Sequence, residues 1–152
     1  MPYCTTKYFG PVAYEESNVL RFSAGLPGFE NERRFLSLEQ PAHAPLVFLQ
    51  SLTTPDLCFV ALPASSIEPS YELEVEDGDL ELLEIDRARR PDFGKLLLRL
   101  ALVTIAEDGI SANLFAPVLI NTLNLLAVQA ISPSRRYSHA HPLADIPEPV
   151  CS

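Results

Sequence analysis

Short apolar runs recur along the 152-residue chain, and each is soon cut by Pro, Gly, Asn or Asp. Runs of this length bounded by turn residues predict strands, because an amphipathic helix needs a longer stretch at a 3.6-residue period to bury one face. "NVLRFSA" (18–24) and "RRFLSLEQ" (33–40) alternate apolar and polar residues and flank "GLPGFE" (25–30), in which Gly25, Pro27 and Gly28 make a tight turn. "PLVFLQSL" (45–52) and "LCFVALP" (57–63) are rich in β-branched and aromatic residues and are joined by "TTPD", so they predict a hairpin.

"YELEVED" (71–77) alternates again and leads into "DGDLELLEIDRARR", where Leu80, Leu82 and Leu83 follow Asp77 or Asp79 as N-cap and predict one short helix. The strongest turn signal is Asp108-Gly109 between two apolar runs. Opposing Glu107 to Ile110 sets Ile105 against Ala112, Val103 against Leu114 and Ala101 against Ala116. That makes one face wholly apolar and the other mixed, as in a sheet with one face on the core. Within "NLFAPVLIN" (113–121), Pro117 has no N–H to give a ladder, so the strand is expected to bulge or bend there, and such a corner lets one chain serve two sheets or close a barrel. "NLLAVQAI" (124–131) reads as a last strand, and the proline-rich segment after it as a surface tail.

The fold class predicted is therefore mainly β, with curved antiparallel sheets forming a small β-barrel-like single domain with one short helix. The length suits one domain with a core of its own, and a monomer is expected. No apolar run is long enough to span a bilayer, and the N-terminal residues lack a signal-peptide pattern, so a cytoplasmic protein without membrane contact is expected. Cys4, Cys58 and Cys151 are odd in number and far apart, which indicates neither a disulfide framework nor a zinc site.

Charge narrows the partners. With 11 Lys and Arg against 20 Asp and Glu, the formal charge of -9 opposes direct binding of nucleic acid and suits a protein partner with a basic surface. The acidic run holds Asp77, Asp79, Glu81 and Glu84, which either form a solvated face or steer such a partner. Asn113 and Asn121 are candidate binding residues, although their amides can equally cap backbone groups freed by Pro117. His139 and His141 lack neighbouring carboxylate or Cys ligands, Ser51, Ser65 and Ser66 sit in no nucleophile elbow, and "GLPG" lacks the Lys of a phosphate loop. No enzyme, cofactor or metal is expected.

Taken in order, "GLPGFE", "FLQSL", "LCFVALP", Tyr71, "LVTI", "NLFAPVLIN", "QAI" and "YSHAHPL" resemble the FliW family of bacterial flagellar assembly factors, over about Tyr14 to Leu143. The resemblance implies a domain over 1–143 with a tail over 144–152. It also implies a non-enzymatic protein that binds the translational regulator CsrA, relieving repression of flagellin mRNA, and alternatively binds flagellin. On this reading the contacts come from Asp77, Asp79, Glu81 and Glu84, from Leu26, Phe29 and Glu30 of the "GLPGFE" loop, and from Asn113 and Asn121. Two alternatives stand beside it: a flagellin chaperone without a translational role, and a β-barrel enzyme or small-ligand carrier using His43, His139 or His141.

Overall fold

The computed structural model describes residues 2–72, 75–131 and 136–143. The tail 144–152 and the centre of the "YELEVED" run lie outside them. Strands β1 (Tyr3–Thr6) and β2 (Gly10–Ala13) make a small antiparallel sheet. Strands β3 (Val19–Phe22), β4 (Arg34–Glu39), β5 (Val47–Ser51), β6 (Cys58–Pro63), β7 (Leu97–Ala106), β8 (Gly109–Asn121) and β9 (Leu126–Gln129) follow one another around a closed seven-stranded barrel. β10 (His141–Leu143) adds to the outside of β8. Each barrel strand runs antiparallel to the one before it, but the ring closes where β9 pairs parallel with β3, Arg21 opposite Leu126. An odd number of strands laid up and down in turn must bring two of the same direction together at the seam. The expected antiparallel sheets therefore carry one parallel joint.

Leu20, Phe22, Phe35, Leu49, Leu100, Val118 and Ile120 fill the barrel, with Phe22 and Phe35 edge to face at 5.3 Å. The outer wall is covered as well. Phe48, on the outer side of β5, meets Phe9 at 5.3 Å, so β5 is buried throughout and its apolar run does not alternate. Gln50 is fully buried in that strand, and its Nε2 donates to the carbonyls of Ser51, Leu57 and Pro55 at 3.0, 3.1 and 3.2 Å. It thereby pins the "TTPD" turn, which joins β5 and β6 as predicted.

The β7–β8 hairpin forms, but with Ala106 opposite Gly109 and Val103 opposite Ala112, two residues from the expected register. Glu107 and Asp108 occupy the turn. A slip of two keeps every side chain on its face, so Ala101, Ala112 and Leu114 are still buried together. They lie under Tyr71 on the outside of the barrel, however, while Leu100 and Val118 face its interior.

Pro117 breaks the ladder as expected: between the pairs Leu102–Asn113 and Leu100–Val118, one residue of β7 faces four of β8. The freed backbone groups find other partners. The N–H groups of Leu114 and Phe115 donate to Ser138 O at 3.0 and 3.2 Å, and Ala116 N–H to Asn113 Oδ1 at 2.9 Å. Leu114 O accepts from Tyr71 Oη at 2.7 Å, Ala116 O from Gln129 Nε2 at 3.0 Å, and Pro117 O from Ala130 N–H at 2.9 Å. Ser138 belongs to the segment read as a surface tail, whose described part is instead docked. Tyr137 stacks on Tyr71 at 4.4 Å and accepts the Glu72 N–H at 2.8 Å, and β10 pairs with β8. β10, not β9, is thus the last strand described.

Among the described residues, three short α-helices flank the barrel: α1 (Ala64–Ile67), α2 (Asp77–Leu83) and α3 (Phe93–Leu96). Only α2 was legible. Its N-cap is Glu76, with no side-chain cap bond, so Asp77 and Asp79 lie inside the first turn instead of capping it. Leu80 and Leu83 are buried three residues apart, whereas Leu82 faces outward.

Changing Tyr71→Phe removes the hydroxyl that satisfies Leu114 O and leaves a buried carbonyl bare, at a cost of about 1–3 kcal/mol. Urea unfolding is expected to show that loss; an unchanged midpoint would mean that water replaces the hydroxyl.

Candidate acidic cleft at helix α2

The last residues of β8 hold α2 in place. Leu119 turns outward to pack with Leu80, Leu83 and Val128, and buried Asn121, 3% exposed, donates its Nδ2 to Leu83 O at 2.8 Å. The Oδ1 of Asn121 accepts Leu123 N–H at 2.9 Å, and Thr122 N–H donates to Leu96 O at 2.9 Å. Helix end, β8–β9 loop and α3 are so joined around a cleft of about 290 Å³ lined by Glu84, Ile85, Asp86, Arg89, Leu96, Asn121 and Leu123. Leu123 stands 73% exposed at its edge and Leu82 39% exposed on the helix.

The C-terminus of α2 is a Schellman turn. Ile85 N–H reaches back to Leu80 O at 3.0 Å and Glu84 N–H to Glu81 O at 3.1 Å, and Ile85 packs with the cluster that holds Leu80. This geometry puts Glu84 at φ 57°, a conformation usually left to glycine. Glu84 lines the cleft.

The expected acidic residues are not equivalent. Asp77 is paired with Arg87, whereas Asp79, Glu81 and Glu84 make no ion pair among the described residues. Asp79 is part-buried, and that burial, followed by the charge of Glu76, raises its pKa above the ordinary 3.8. Tyr71, away from this cleft, is pushed up to about 12 by burial and then by Tyr137.

The other expected contacts lie elsewhere. The "GLPGFE" loop follows the C-terminal end of β3, while the cleft lies where the chain enters β9. Because β3 and β9 run parallel, the two features are at opposite ends of the barrel. In the loop, Leu26 O accepts Phe29 N–H at 2.7 Å across Pro27 and Gly28, with Gly28 at φ 85°, the signature of a type II turn. Leu26 is buried, Glu30 is exposed, and Phe29, 42% exposed, lies edge-on to Phe59 at 5.4 Å. A Cβ on Gly25 would come within 2.5 Å of Glu30 O, so only glycine fits there. Asn113 is half-buried at the Pro117 bulge with its amide oxygen engaged, and Asn121 is part of the cleft floor.

Sequence reasoning missed Leu123, Ile85 and Arg89. A single exposed Leu in a loop carries no local signal, and the cleft exists only because β8 carries its loop back against α2. Among the described residues, no helix is long and apolar enough to cross a membrane.

A family model described as FliW protein matches residues 3–143. A flagellar assembly factor FliW of Geobacillus sp. (strain WCH70) is 36% identical over 147 residues, covering 95% of this chain and 96% of the relative. The FliW of Bacillus subtilis (strain 168) is 31% identical over 140 residues, covering 91% and 94%. A crystal structure of a flagellar assembly factor FliW superposes with a TM-score of 0.81 at 34% identity, covering 95% of this chain and 98% of that one.

Replacing Asp79→Asn tests the electrostatics of the cleft helix. A folded-state pKa above the unfolded value means that ionising Asp79 weakens the fold as pH rises through that window. The variant is therefore expected to be more stable than the parent at pH 7 and to converge with it well below 3.8, in urea titrations across pH. Parallel curves at all pH values would refute the shift.

Proposed function

Because the chain belongs to the FliW family, we propose that it serves flagellar assembly as a binding protein, taking CsrA at the acidic cleft beside α2 and taking flagellin as the alternative partner. Bound CsrA is withheld from flagellin mRNA and translation proceeds; when flagellin occupies the protein, CsrA is free to repress. Such a switch requires that the two partners weaken each other's binding, which is a statement about coupling free energy and is reciprocal.

The observation that carries this reading is Glu84. A non-glycine residue in the left-handed conformation costs about 1 kcal/mol relative to glycine. Here that residue lines a cleft edged by exposed Leu123, at the end of a helix that carries exposed Leu82 and also Asp79 and Glu81, which make no ion pair among the described residues. An apolar centre inside a charged rim is the usual make-up of a protein interface, and a net charge of -9 favours encounter with a basic surface. Asp77, already neutralised by Arg87, contributes less than its neighbours.

Calorimetric titration with cognate CsrA is expected to give saturable binding that weakens as salt rises. Reversing Asp79, Glu81 and Glu84 together to Lys should weaken it by roughly a hundredfold, since close charge pairs couple by more than a kcal/mol each. Binding that survives the reversal moves CsrA to another face. Heat with flagellin but none with CsrA leaves only the chaperone reading.

Glu84→Gly separates binding from folding. Relief of the strained conformation should stabilise the fold by about 1 kcal/mol in urea while CsrA affinity falls. A stabilised variant with full affinity would remove Glu84 from the interface.

A further inference from the structure

On the outer face of β7, opposite Leu119, stands Arg99. Its Nε is buried and has no hydrogen-bond partner, and no ion pair involves it among the described residues. The contrast with other arginines is plain. Arg34 pairs with Glu16, Arg87 with Asp77 and Arg136 with Glu72, while Arg21 and Arg33 donate to main-chain carbonyls. In a chain with 20 acidic residues, none of the described carboxylates neutralises this guanidinium, and Arg99, only part-buried as a whole, offers its remaining N–H groups to an acceptor from outside.

Arg99 borders a pocket of about 130 Å³ between α1 and α3, walled by Ser65, Tyr71, Gly94, Leu97 and Leu98. The Tyr71 hydroxyl donates to Leu114 O and so has no proton to give a carboxylate here. A Cβ built on Gly94 meets nothing within 4 Å, so that side is open. Leu98 is 38% exposed.

We propose that this pocket is a second binding site, in which Arg99 receives a single carboxylate presented by a peptide segment. The guanidinium fork matches a carboxylate in geometry, and the volume admits one such group with its methylenes but no nucleotide. The protein's charge of -9 disfavours a dianionic phosphate more than a monoanion. Exposed Leu98 gives the residue next to the carboxylate an apolar contact that a free ion cannot use. The site differs in sign from the acidic cleft, although α3 borders both, through Gly94 here and Leu96 there. It does not depend on the identity of either partner proposed above.

The test is an NMR titration of the full chain that follows the Arg99 Nε–Hε resonance and the amides of Ser65 and Gly94. The probes are acetyl-Leu-Glu-methylamide, its Gln counterpart, acetate and inorganic phosphate. The Glu peptide is expected to shift these signals saturably, with acetate and the Gln peptide roughly tenfold or more weaker. Arg99→Met should abolish the response. Arg99→Lys, which keeps the charge but not the planar fork, should weaken it and guards against a folding defect in the first variant. Equal binding of the Gln peptide, phosphate binding as tight as the Glu peptide, or an unchanged response of the Ser65 and Gly94 amides in Arg99→Met would each overturn the proposal.

Discussion

Pro117 is the constraint on which the rest of this molecule depends. A strand that must serve the barrel interior at one level and an outer layer at another has to shed its ladder in between, and a residue without an N–H is suited to that break. The break leaves buried backbone groups to satisfy. Each would cost about 1–3 kcal/mol if left bare, so a few of them would rival the whole stability of a small domain. Ser138, Tyr71, Asn113, Gln129 and Ala130 supply the partners. Apart from Asn113, which is on β8 itself, they come from other stretches of the chain, and the bulge therefore ties the segment after β9, the segment before α2 and β9 with the residue that follows it to one point on β8.

Everything beyond the bulge follows from that tie. With the register moved by three residues, Val118 and Ile120 fill the barrel while Leu119 turns to α2. Asn121 then finishes the strand by holding Leu83 O. The acidic helix is thus fastened to the barrel's own closing strand, and the cleft is a by-product of how the strand ends. Its carboxylates differ in their surroundings: one is paired, one is part-buried, and one is carried by strained backbone. The same strand's partner, β7, carries Arg99 into a pocket of opposite character. One side of the barrel so offers negative charge with leucines and positive charge with leucine, separated by a single-turn helix.

Much of this architecture could be read along the chain. Turn dipeptides and alternation located β3 to β8, and Pro117 announced its bulge, because these signals act within a few residues. The hairpin slipped by two because the turn residues alone do not choose between neighbouring registers that keep the same faces. β1, β2 and β10 were not legible. They are short strands whose burial comes from what they cover, and isolated pairs of this length have little stability of their own. The helices α1 and α3 are single turns, below the length at which periodicity carries information.

For the candidate site the division is sharper. The sequence by itself determined the β class, the break in β8, the sign of the charge and the acidic helix, since each depends on local backbone chemistry or on composition. Only the folded structure decided that Asp77 is neutralised, that Glu84 adopts a left-handed turn, that Leu123 and Ile85 share a cleft with Glu84, and that Arg99 makes no ion pair among the described residues. The first two arise within a dozen residues but only once α2 is folded and packed, whereas the cleft and the surroundings of Arg99 depend on pairs distant in sequence, which meet when the barrel closes and which no short window of the chain contains.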